Sequence, residues 1–267
     1  MKKLLLIGVT YCSYESTREF IASVDRASAQ CSDWQVDVAI ADNTPKAKMS
    51  VIGKDYKHIS VEIYSFPDNP GYLGAALQIY NSKAKDYNMV AISNVDLTLK
   101  QDFLKELTRI NTLEVGWIAP DIHTVADKRH ENPYMKHRPT KKNFIVWNTI
   151  YSCRLLYAFY HALHKLKTRA QKPEAEQTIY AGHGSFMLFT EAFVKHNPNL
   201  QFPGYMYGEE IYLAELTRLS NLKVRYIPAL KIQNVGHINM STTPDRVRFG
   251  WSKQSLKSIR ELFFKDI

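Results

Sequence analysis

The stretch Met89-Val90-Ala91-Ile92-Ser93-Asn94-Val95-Asp96 is an apolar run that ends abruptly in polar residues. Its first five residues predict a buried β-strand, because the run is short and apolar and contains β-branched side chains. A carboxylate at the end of a central strand can hold a divalent cation with the phosphates of a ligand in reach. An Asn-x-Asp at a strand end is also typical of an Asx turn or a helix N-cap, so both interpretations remain open.

Similar apolar runs precede this strand and alternate with helix-like segments. The predicted strands are Lys3–Val9, Val36–Ala41 and Ile59–Tyr64, and the predicted helices are Thr17–Ala29 and Tyr72–Lys85. This alternation predicts an α/β fold with a mostly parallel sheet and right-handed crossovers. In such a sheet, ligands bind beyond the carboxyl ends of the strands. Polar residues suited to a ligand follow three of these strands: Thr10-Tyr11, Asp42-Asn43 and Asn94 with Asp96.

The second half of the chain is less regular. It carries a predicted strand at Gly116–Ala119, small residues leading into a strand over Ala181–Phe189, a helix opening at Glu209-Glu210, and short strands near Val224–Ile227 and Lys231–Val235. A helix is also predicted directly after Asp96 and Leu97. The simplest interpretation is one domain with a nucleotide half and an acceptor half.

Composition limits the classes of protein to consider. The chain has 267 residues, of which 45% are hydrophobic, and a formal net charge of +9. This length suits one large α/β domain, and three cysteines without a CxxC spacing favour a reducing cytosol. The apolar start reads as a first strand rather than a signal sequence, and no stretch approaches the ~18 apolar residues of a membrane span. The charge fits an anionic membrane surface or phosphorylated ligands, whereas no nucleic-acid-binding motif appears.

Two segments of the first half suit a nucleotide. Asp42 could accept hydrogen bonds from a uracil or thymine ring or from a ribose hydroxyl, or it could simply form a turn. The Asn69-Pro70-Gly71 segment leads into a predicted helix whose N-terminus favours negative charge, and its small residues allow close approach. It is neither a GxGxxG motif nor a P-loop, which disfavours dinucleotide binding and ATP hydrolysis.

Three segments of the second half could carry chemistry. Gly182-His183-Gly184 could let a sugar lie against bare backbone, or it could form a tight turn. Glu209 and Glu210 could supply the base that takes a proton from an attacking hydroxyl, and the helix macrodipole is expected to lower their pKa. They could equally be ordinary acidic residues of a first helical turn. His237 is either a metal ligand or a structural histidine.

The order of these segments resembles that of the family 2 inverting glycosyltransferases, particularly the rhamnosyltransferase-like branch that builds bacterial surface polysaccharides. The matching pieces are Gly8-Val9-Thr10-Tyr11, Ile40-Ala41-Asp42-Asn43-Thr44, Asn69-Pro70-Gly71-Tyr72-Leu73-Gly74, Ser93-Asn94-Val95-Asp96-Leu97, Gly182-His183-Gly184-Ser185-Phe186-Met187-Leu188, Tyr207-Gly208-Glu209-Glu210-Ile211 and Gly236-His237. The resemblance implies a GT-A fold over residues 1–240, with a nucleotide-sugar half at about 1–115 and an acceptor half at 116–240. Residues 241–267 are then a basic helical tail.

The resemblance also implies roles. The nucleotide would be held by Thr10, Tyr11, Asp42, Asn69, Gly71 and Asn94; Mg²⁺ or Mn²⁺ by Asp96 and His237; and the donor or acceptor sugar by Gly182, His183 and Gly184. Glu209 or Glu210 would be the general base, with Glu209 preferred. The donor would be of the dTDP-rhamnose or UDP-hexose type, and the acceptor a glycan or a lipid-linked glycan. The sequence departs from the family pattern in two places. Asn94 replaces the first Asp of a DXD element, which removes one charge from the metal site, and the helix start reads Leu73-Gly74-Ala75-Ala76, which leaves the donor open.

A basic, aromatic segment over residues 141–170 contains no Pro or Gly, and its apolar residues recur at helical spacing. One interpretation is a helix in a membrane interface, which would place the protein in the cytoplasm on the inner face of the cell membrane. The other is a helix that faces the core. The tail from Trp251 to Ile267 could likewise dock on the domain or on the membrane.

Two other functions remain alternatives. A non-catalytic assembly partner with the same fold is disfavoured by the presence of Asp96, Glu209, Glu210 and His237. A nucleotidyltransferase is disfavoured because the segment Tyr11-Cys12-Ser13-Tyr14-Glu15 contains neither the glycine nor the lysine of a phosphate-binding loop.

Overall fold

A mixed β-sheet forms the centre of the protein in a computed structural model, which describes residues 1–46, 56–126, 128–158, 172–234 and 245–264. Its strands are β1 (Lys2–Thr10), β2 (Trp34–Asp42), β3 (Ile59–Ser65), β4 (Met89–Asn94), β5 (Leu97–Leu99), β6 (Val115–Thr124), β7 (Arg129–His130), β8 (Gln177–Ile179), β9 (Phe186–Thr190) and β10 (Lys223–Asn234). The order is β3-β2-β1-β4-β9-β6-β10-β5, with β7 beside β6 and β8 beside β10.

The helices lie on both faces of this sheet. They are α1 (Tyr14–Ser28), α2 (Tyr72–Lys83), α3 (Phe103–Thr108), α4 (Lys141–Ile150), α5 (Glu191–His196), α6 (Glu209–Leu219) and α7 (Asp245–Phe263). One apolar layer packs α1 and α3 against the sheet, and the opposite layer packs α2, α5 and α6. Because both faces are covered, β1 is buried from Leu4 to Thr10, as the apolar run predicts.

The directions of the strands bring several strand ends together. β1 is parallel to β2 and to β4, while β9 is antiparallel to both β4 and β6, and β10 is parallel to β6. The carboxyl ends of β1, β2, β4, β6 and β10 therefore lie along one side of the sheet, which we call the carboxyl edge. The predicted α/β architecture with a mostly parallel sheet is confirmed.

Two local predictions are wrong. The helix predicted after Leu97 begins only at Phe103, as α3, because Leu97 and Leu99 are buried in strand β5, which pairs antiparallel with β10. The two short strands predicted near the C-terminus are one strand, β10, with a shift of register between Ile227 and Lys231. Pro228 lies in that shift, where its missing N–H does not interrupt a ladder hydrogen bond.

The basic segment also differs from the continuous helix that its spacing predicts. Helix α4 ends at Ile150, residues 151–153 form a turn, and residues 154–158 are helical again; residues 159–170 lie outside the described part of the chain. Phe144 of α4 is buried, and its ring centroid lies 4.2 Å from that of Phe263 in α7. Both helices thus dock on the domain through one apolar cluster. No helix within the described ranges has the length and apolarity needed to cross a membrane.

Candidate active site

The ends of β1 and β2 meet at the carboxyl edge. Thr10 and Asp42 are register partners, and the Asn43 N–H donates to the Thr10 carbonyl at 2.9 Å. The Thr10 hydroxyl is buried and accepts a hydrogen bond from Thr17 Oγ1 at 3.0 Å. Tyr11 is 51% exposed. Of the two residues predicted to contact the nucleotide here, Tyr11 has the accessible side chain, while Thr10 joins β1 to α1.

Asp42 keeps one carboxylate oxygen unused. Its Oδ1 accepts from the Thr44 N–H at 3.0 Å, so the turn predicted as the alternative is present. Its Oδ2 is buried and accepts no hydrogen bond from the part of the chain that the structure describes. The side-chain amide of the neighbouring Asn43 donates to the Gly71 carbonyl at 3.2 Å. Its Oδ1 is also buried and accepts no hydrogen bond from the described residues. Buried oxygens without donors are costly, so this corner of the edge is suited to a ligand that brings N–H or O–H groups.

Asn69 and Gly71 form the turn before α2. Asn69 Oδ1 accepts from the Gly71 N–H at 3.3 Å, and Gly71 has a φ of +86°. A Cβ added at Gly71 would lie 2.4 Å from the Tyr205 carbonyl oxygen. The glycine is therefore required by the approach of the backbone around Tyr205, which brings that loop against the turn before α2.

Asp96 and the Glu209-Glu210 pair surround one tyrosine. Asn94, at the end of β4, donates its N–H to the Ser185 carbonyl at 2.8 Å, and Asp96 follows it as a buried residue. The Tyr72 hydroxyl donates to the Gly184 carbonyl at 2.9 Å. Burial raises the pKa of Tyr72 well above its usual value, and three carboxylates raise it further: Glu209, Asp96 and Glu210. Residues that are more than 100 positions apart in sequence therefore share one region of charge.

The start of α6 brings the two glutamates against a glycine. Gly184 donates its N–H to Glu210 Oε1 at 3.3 Å. A Cβ at Gly184 would lie 2.8 Å from that oxygen and 3.1 Å from Glu209 Cγ. The absence of a side chain at Gly184 thus leaves the space that Glu209 and Glu210 occupy. Both glutamates are half-buried.

The pKa of Glu209 contradicts the expectation from the macrodipole. Burial, assisted by the negative charge of Glu210, raises the pKa of Glu209 to about 8, although backbone N–H groups at the helix start lower it in part. Desolvation and a like charge at close range outweigh the helix terminus here. Glu209 is consequently a stronger base than an exposed glutamate.

The other predicted sugar-binding residues have structural contacts. A Cβ at Gly182 would lie 2.7 Å from Ala119 Cβ, so this glycine permits close packing. His183 donates its N–H to Asn132 Oδ1 at 2.8 Å, and its Nδ1 lies 2.8 Å from Ser185 Oγ. The His183 ring is thereby held in one orientation beside Gly184, and it packs T-shaped on the Tyr134 ring with the two ring centroids 5.2 Å apart.

Several polar residues near the carboxyl edge are not indicated by any sequence pattern. His130 Nδ1 lies 2.6 Å from a carboxylate oxygen of Asp121, and Glu131 accepts from Thr124 at 2.7 Å. In the sequence, Tyr72 stands out only as a member of the segment Asn69-Pro70-Gly71-Tyr72-Leu73-Gly74. The available signal for Asp121 was its position inside a strand, where a carboxylate is unusual, but the predicted strand stopped at Ala119.

The residues present suit Mg²⁺ or Mn²⁺ in one respect. Such ions are commonly bound by one or two carboxylates together with substrate phosphates, and Asp96 is a carboxylate at the appropriate strand end. Within the described ranges, no group of three or more His, Cys, Asp or Glu side chains could hold a metal ion. His237, the second predicted ligand, lies outside those ranges.

The arrangement of sheet, helices and carboxyl edge is the GT-A fold of glycosyltransferases. The chain is similar to S. aureus TarS 1–349 in complex with UDP-GlcNAc, with a TM-score of 0.58 and 12% identity over 91% of this chain and 61% of that one. It is also similar to GalNAc-T7 with UDP, GalNAc and Mn²⁺, with a TM-score of 0.59 and 13% identity over 98% and 48%. A third structure, S. aureus TarS, has a TM-score of 0.55 and 11% identity over 87% and 36%.

The chain therefore spans less than two thirds of the length of these neighbours. No protein-family profile and no curated protein sequence matches it. At these identities the similarity establishes the fold, and the predicted GT-A architecture is confirmed.

Proposed function

We propose that this chain is an inverting glycosyltransferase that moves a sugar from a nucleoside-diphosphate-sugar to a hydroxyl of a glycan or lipid-linked acceptor during synthesis of cell-surface polysaccharide. The observation that carries the proposal is that Tyr72, Glu209 and Glu210 meet at Gly184, while the next residue, Ser185, bonds to Asn94 at the strand end that leads to Asp96. A leaving-group site and a base for the acceptor must lie on the two sides of one reacting carbon, and this arrangement supplies both kinds of group.

The donor would lie along the ends of β1, β2 and β4. The unused Asp42 Oδ2 suits the ring N–H of a pyrimidine, and Tyr11 offers an exposed ring beside it. Donors of the dTDP-rhamnose or UDP-hexose type carry such a ring. Two of the neighbouring structures contain UDP-GlcNAc or UDP, which is consistent with this choice.

Asp96 would hold Mg²⁺ or Mn²⁺, with His237 as a further ligand. When bound, the ion supplies positive charge that stabilises the departing diphosphate. The GalNAc-T7 neighbour contains Mn²⁺.

Glu209 would take the proton of the acceptor hydroxyl while that oxygen attacks the anomeric carbon opposite the diphosphate. The bond from the anomeric carbon to the diphosphate breaks, the new glycosidic bond forms, and the configuration inverts. The raised pKa of Glu209 favours this role, because a base is most effective when its pKa is near the working pH.

The direct test is a screen of UDP-, dTDP- and GDP-sugars for release of nucleoside diphosphate by the purified chain with Mg²⁺ or Mn²⁺. We expect release from a pyrimidine donor, dependent on the metal and lost in Asp96→Ala. If none of these donors is bound or cleaved, the chain is not this enzyme, and the non-catalytic assembly partner becomes the better account.

We further propose that the protein associates peripherally with the cytoplasmic face of the cell membrane. Ile145 and Leu155 are 66% and 81% exposed, and exposed basic residues flank them: Lys141, Lys142 and Arg154. Basic and apolar side chains on one surface favour an anionic lipid interface.

An Ile145→Gln/Leu155→Gln variant should sediment less with vesicles containing phosphatidylglycerol, whereas Leu113→Gln, at a leucine that is 77% exposed elsewhere, should not change. Equal sedimentation of all three proteins would contradict membrane association through this surface.

A further inference from the structure

Helix α7 packs directly against residues 202–208, the loop that leads to Glu209. The Ser255 hydroxyl donates to the Met206 carbonyl at 2.8 Å. A Cβ at Gly204 would lie 2.6 Å from that hydroxyl oxygen, so only a glycine lets the helix approach this closely. The central residues of the loop, Gly204 to Met206, therefore pack on α7 at Ser255.

The last turn of the loop depends on the same helix. Tyr207 and Gly208 both have left-handed backbone, with φ values of +72° and +87°. A Cβ at Gly208 would lie 2.1 Å from Ile259 Cδ1. Gly208 also accepts the N–H of Tyr212 at 3.1 Å, which closes the first turn of α6. Because Glu209 is the next residue, Ile259 packs on the turn directly before it.

The loop touches the donor side as well. The Tyr205 carbonyl packs against Gly71, and the Tyr205 ring lies 5.0 Å from that of Trp251 in α7. One loop thus contacts the turn before α2, the start of α6 and the C-terminal helix.

We propose that α7 belongs to the catalytic unit as a positioning element, in which Ser255 and Ile259 hold the left-handed turn that orients Glu209. This proposal rests on the function proposed above. It extends that unit beyond residue 240, where the sequence resemblance ends. Small displacements of a catalytic group have large effects, since a shift of about 1 Å can cost about 100-fold in rate.

The test compares pairs of variants on α7 in the full chain. Ile259→Ala removes the contact with Gly208, while Leu256→Ala removes a buried side chain of the same apolar cluster, shared with Phe144 and Ile211. Ser255→Ala removes the hydrogen bond to Met206, and Gln254→Ala changes an exposed neighbour. Ile259→Met, which keeps an apolar side chain long enough to reach Gly208, serves as the conservative rescue.

Two readouts separate positioning from general loss of packing. By hydrogen exchange, Ile259→Ala should accelerate exchange of amides 203–212 more than Leu256→Ala does, because Ile259 packs on Gly208 itself whereas Leu256 only shares the cluster of Ile211. In donor turnover, Ile259→Ala should lower kcat by about 100-fold and Ser255→Ala by about fivefold, with UDP affinity unchanged and Ile259→Met close to wild type. Leu256→Ala and Gln254→Ala should retain kcat within about threefold.

If Ile259→Ala and Leu256→Ala change exchange and kcat equally, in proportion to their melting temperatures, α7 is only a packing element and the proposal is wrong. A wild-type chain that neither binds nor cleaves any donor would overturn the proposed function instead. In that case the exchange of amides 203–212 still decides whether α7 holds the turn.

Discussion

The Glu209→Gln variant should lose sugar transfer almost completely, with kcat reduced by about 10²–10⁴-fold. Glutamine keeps the size of the side chain and can still occupy the space beside Gly184, but it cannot accept the proton of the acceptor hydroxyl. Affinity for UDP with Mn²⁺ should stay within about threefold of wild type, because the proposed role of Glu209 is to contact the acceptor hydroxyl and not the nucleotide. Steady-state kinetics and calorimetry on the same preparation measure the two quantities.

The matched control for this prediction is Glu210→Gln. Glu210 Oε1 accepts the Gly184 N–H at 3.3 Å, and a glutamine oxygen can continue to accept it. We therefore expect a smaller loss of kcat in this variant than in Glu209→Gln. Wild-type turnover in Glu209→Gln would remove Glu209 from the role of base, and a greater loss in Glu210→Gln would transfer the role to its neighbour.

The Glu215→Ala variant should lose about 3–5 kcal/mol of unfolding free energy, the usual result of removing one partner from a buried ion pair. The Glu215 side chain is fully buried, and Arg138 donates to both of its oxygens at 2.8 Å. Tyr180 and Arg218 also donate to it, at 2.7 and 3.0 Å. Although burial raises the pKa of Glu215, these hydrogen bonds lower it overall, so the carboxylate is charged at neutral pH.

Loss of Glu215 should also weaken the docking of α7, because Arg138 donates to the Phe263 carbonyl at 3.0 Å and lies 4.0 Å from the Phe263 ring centroid. Denaturant unfolding at pH 7 measures the change. Glu191→Ala is the control, since Glu191 pairs with Lys195 at an exposed i,i+4 position and should change the free energy by less than about 0.5 kcal/mol. A loss below about 1 kcal/mol in Glu215→Ala would show that the buried network does not stabilise the fold.

Much of the fold follows from local patterns in the sequence. β1 and β4 are short apolar runs buried on both faces, and their alternation with α1 and α2 leaves few topologies other than a parallel sheet. The polar ends of these strands then fall at one edge for geometrical reasons. For this reason the sequence alone predicts Asp42 and Asp96 as site residues.

The remaining features depend on contacts between distant residues. Leu97 forms a strand because β10 lies beside it, and Glu209 has a raised pKa because folding buries it beside Glu210. Gly71 and Gly208 are needed where Tyr205 and Ile259 approach them from far along the chain. These contacts join residues that are far apart in the chain, and no local spacing predicts them. The sequence therefore does not show whether α7 docks on the domain or on a membrane.

The central claim is that donor and base meet at the carboxyl edge, and a crystal structure with UDP and Mn²⁺ tests it most directly. We predict the uracil ring at Asp42 Oδ2, the diphosphate and the ion at Asp96, and the open side of the β-phosphate facing Glu209. A nucleotide bound elsewhere on the protein, with Asp96 and Glu209 remote from its phosphates, would contradict the account.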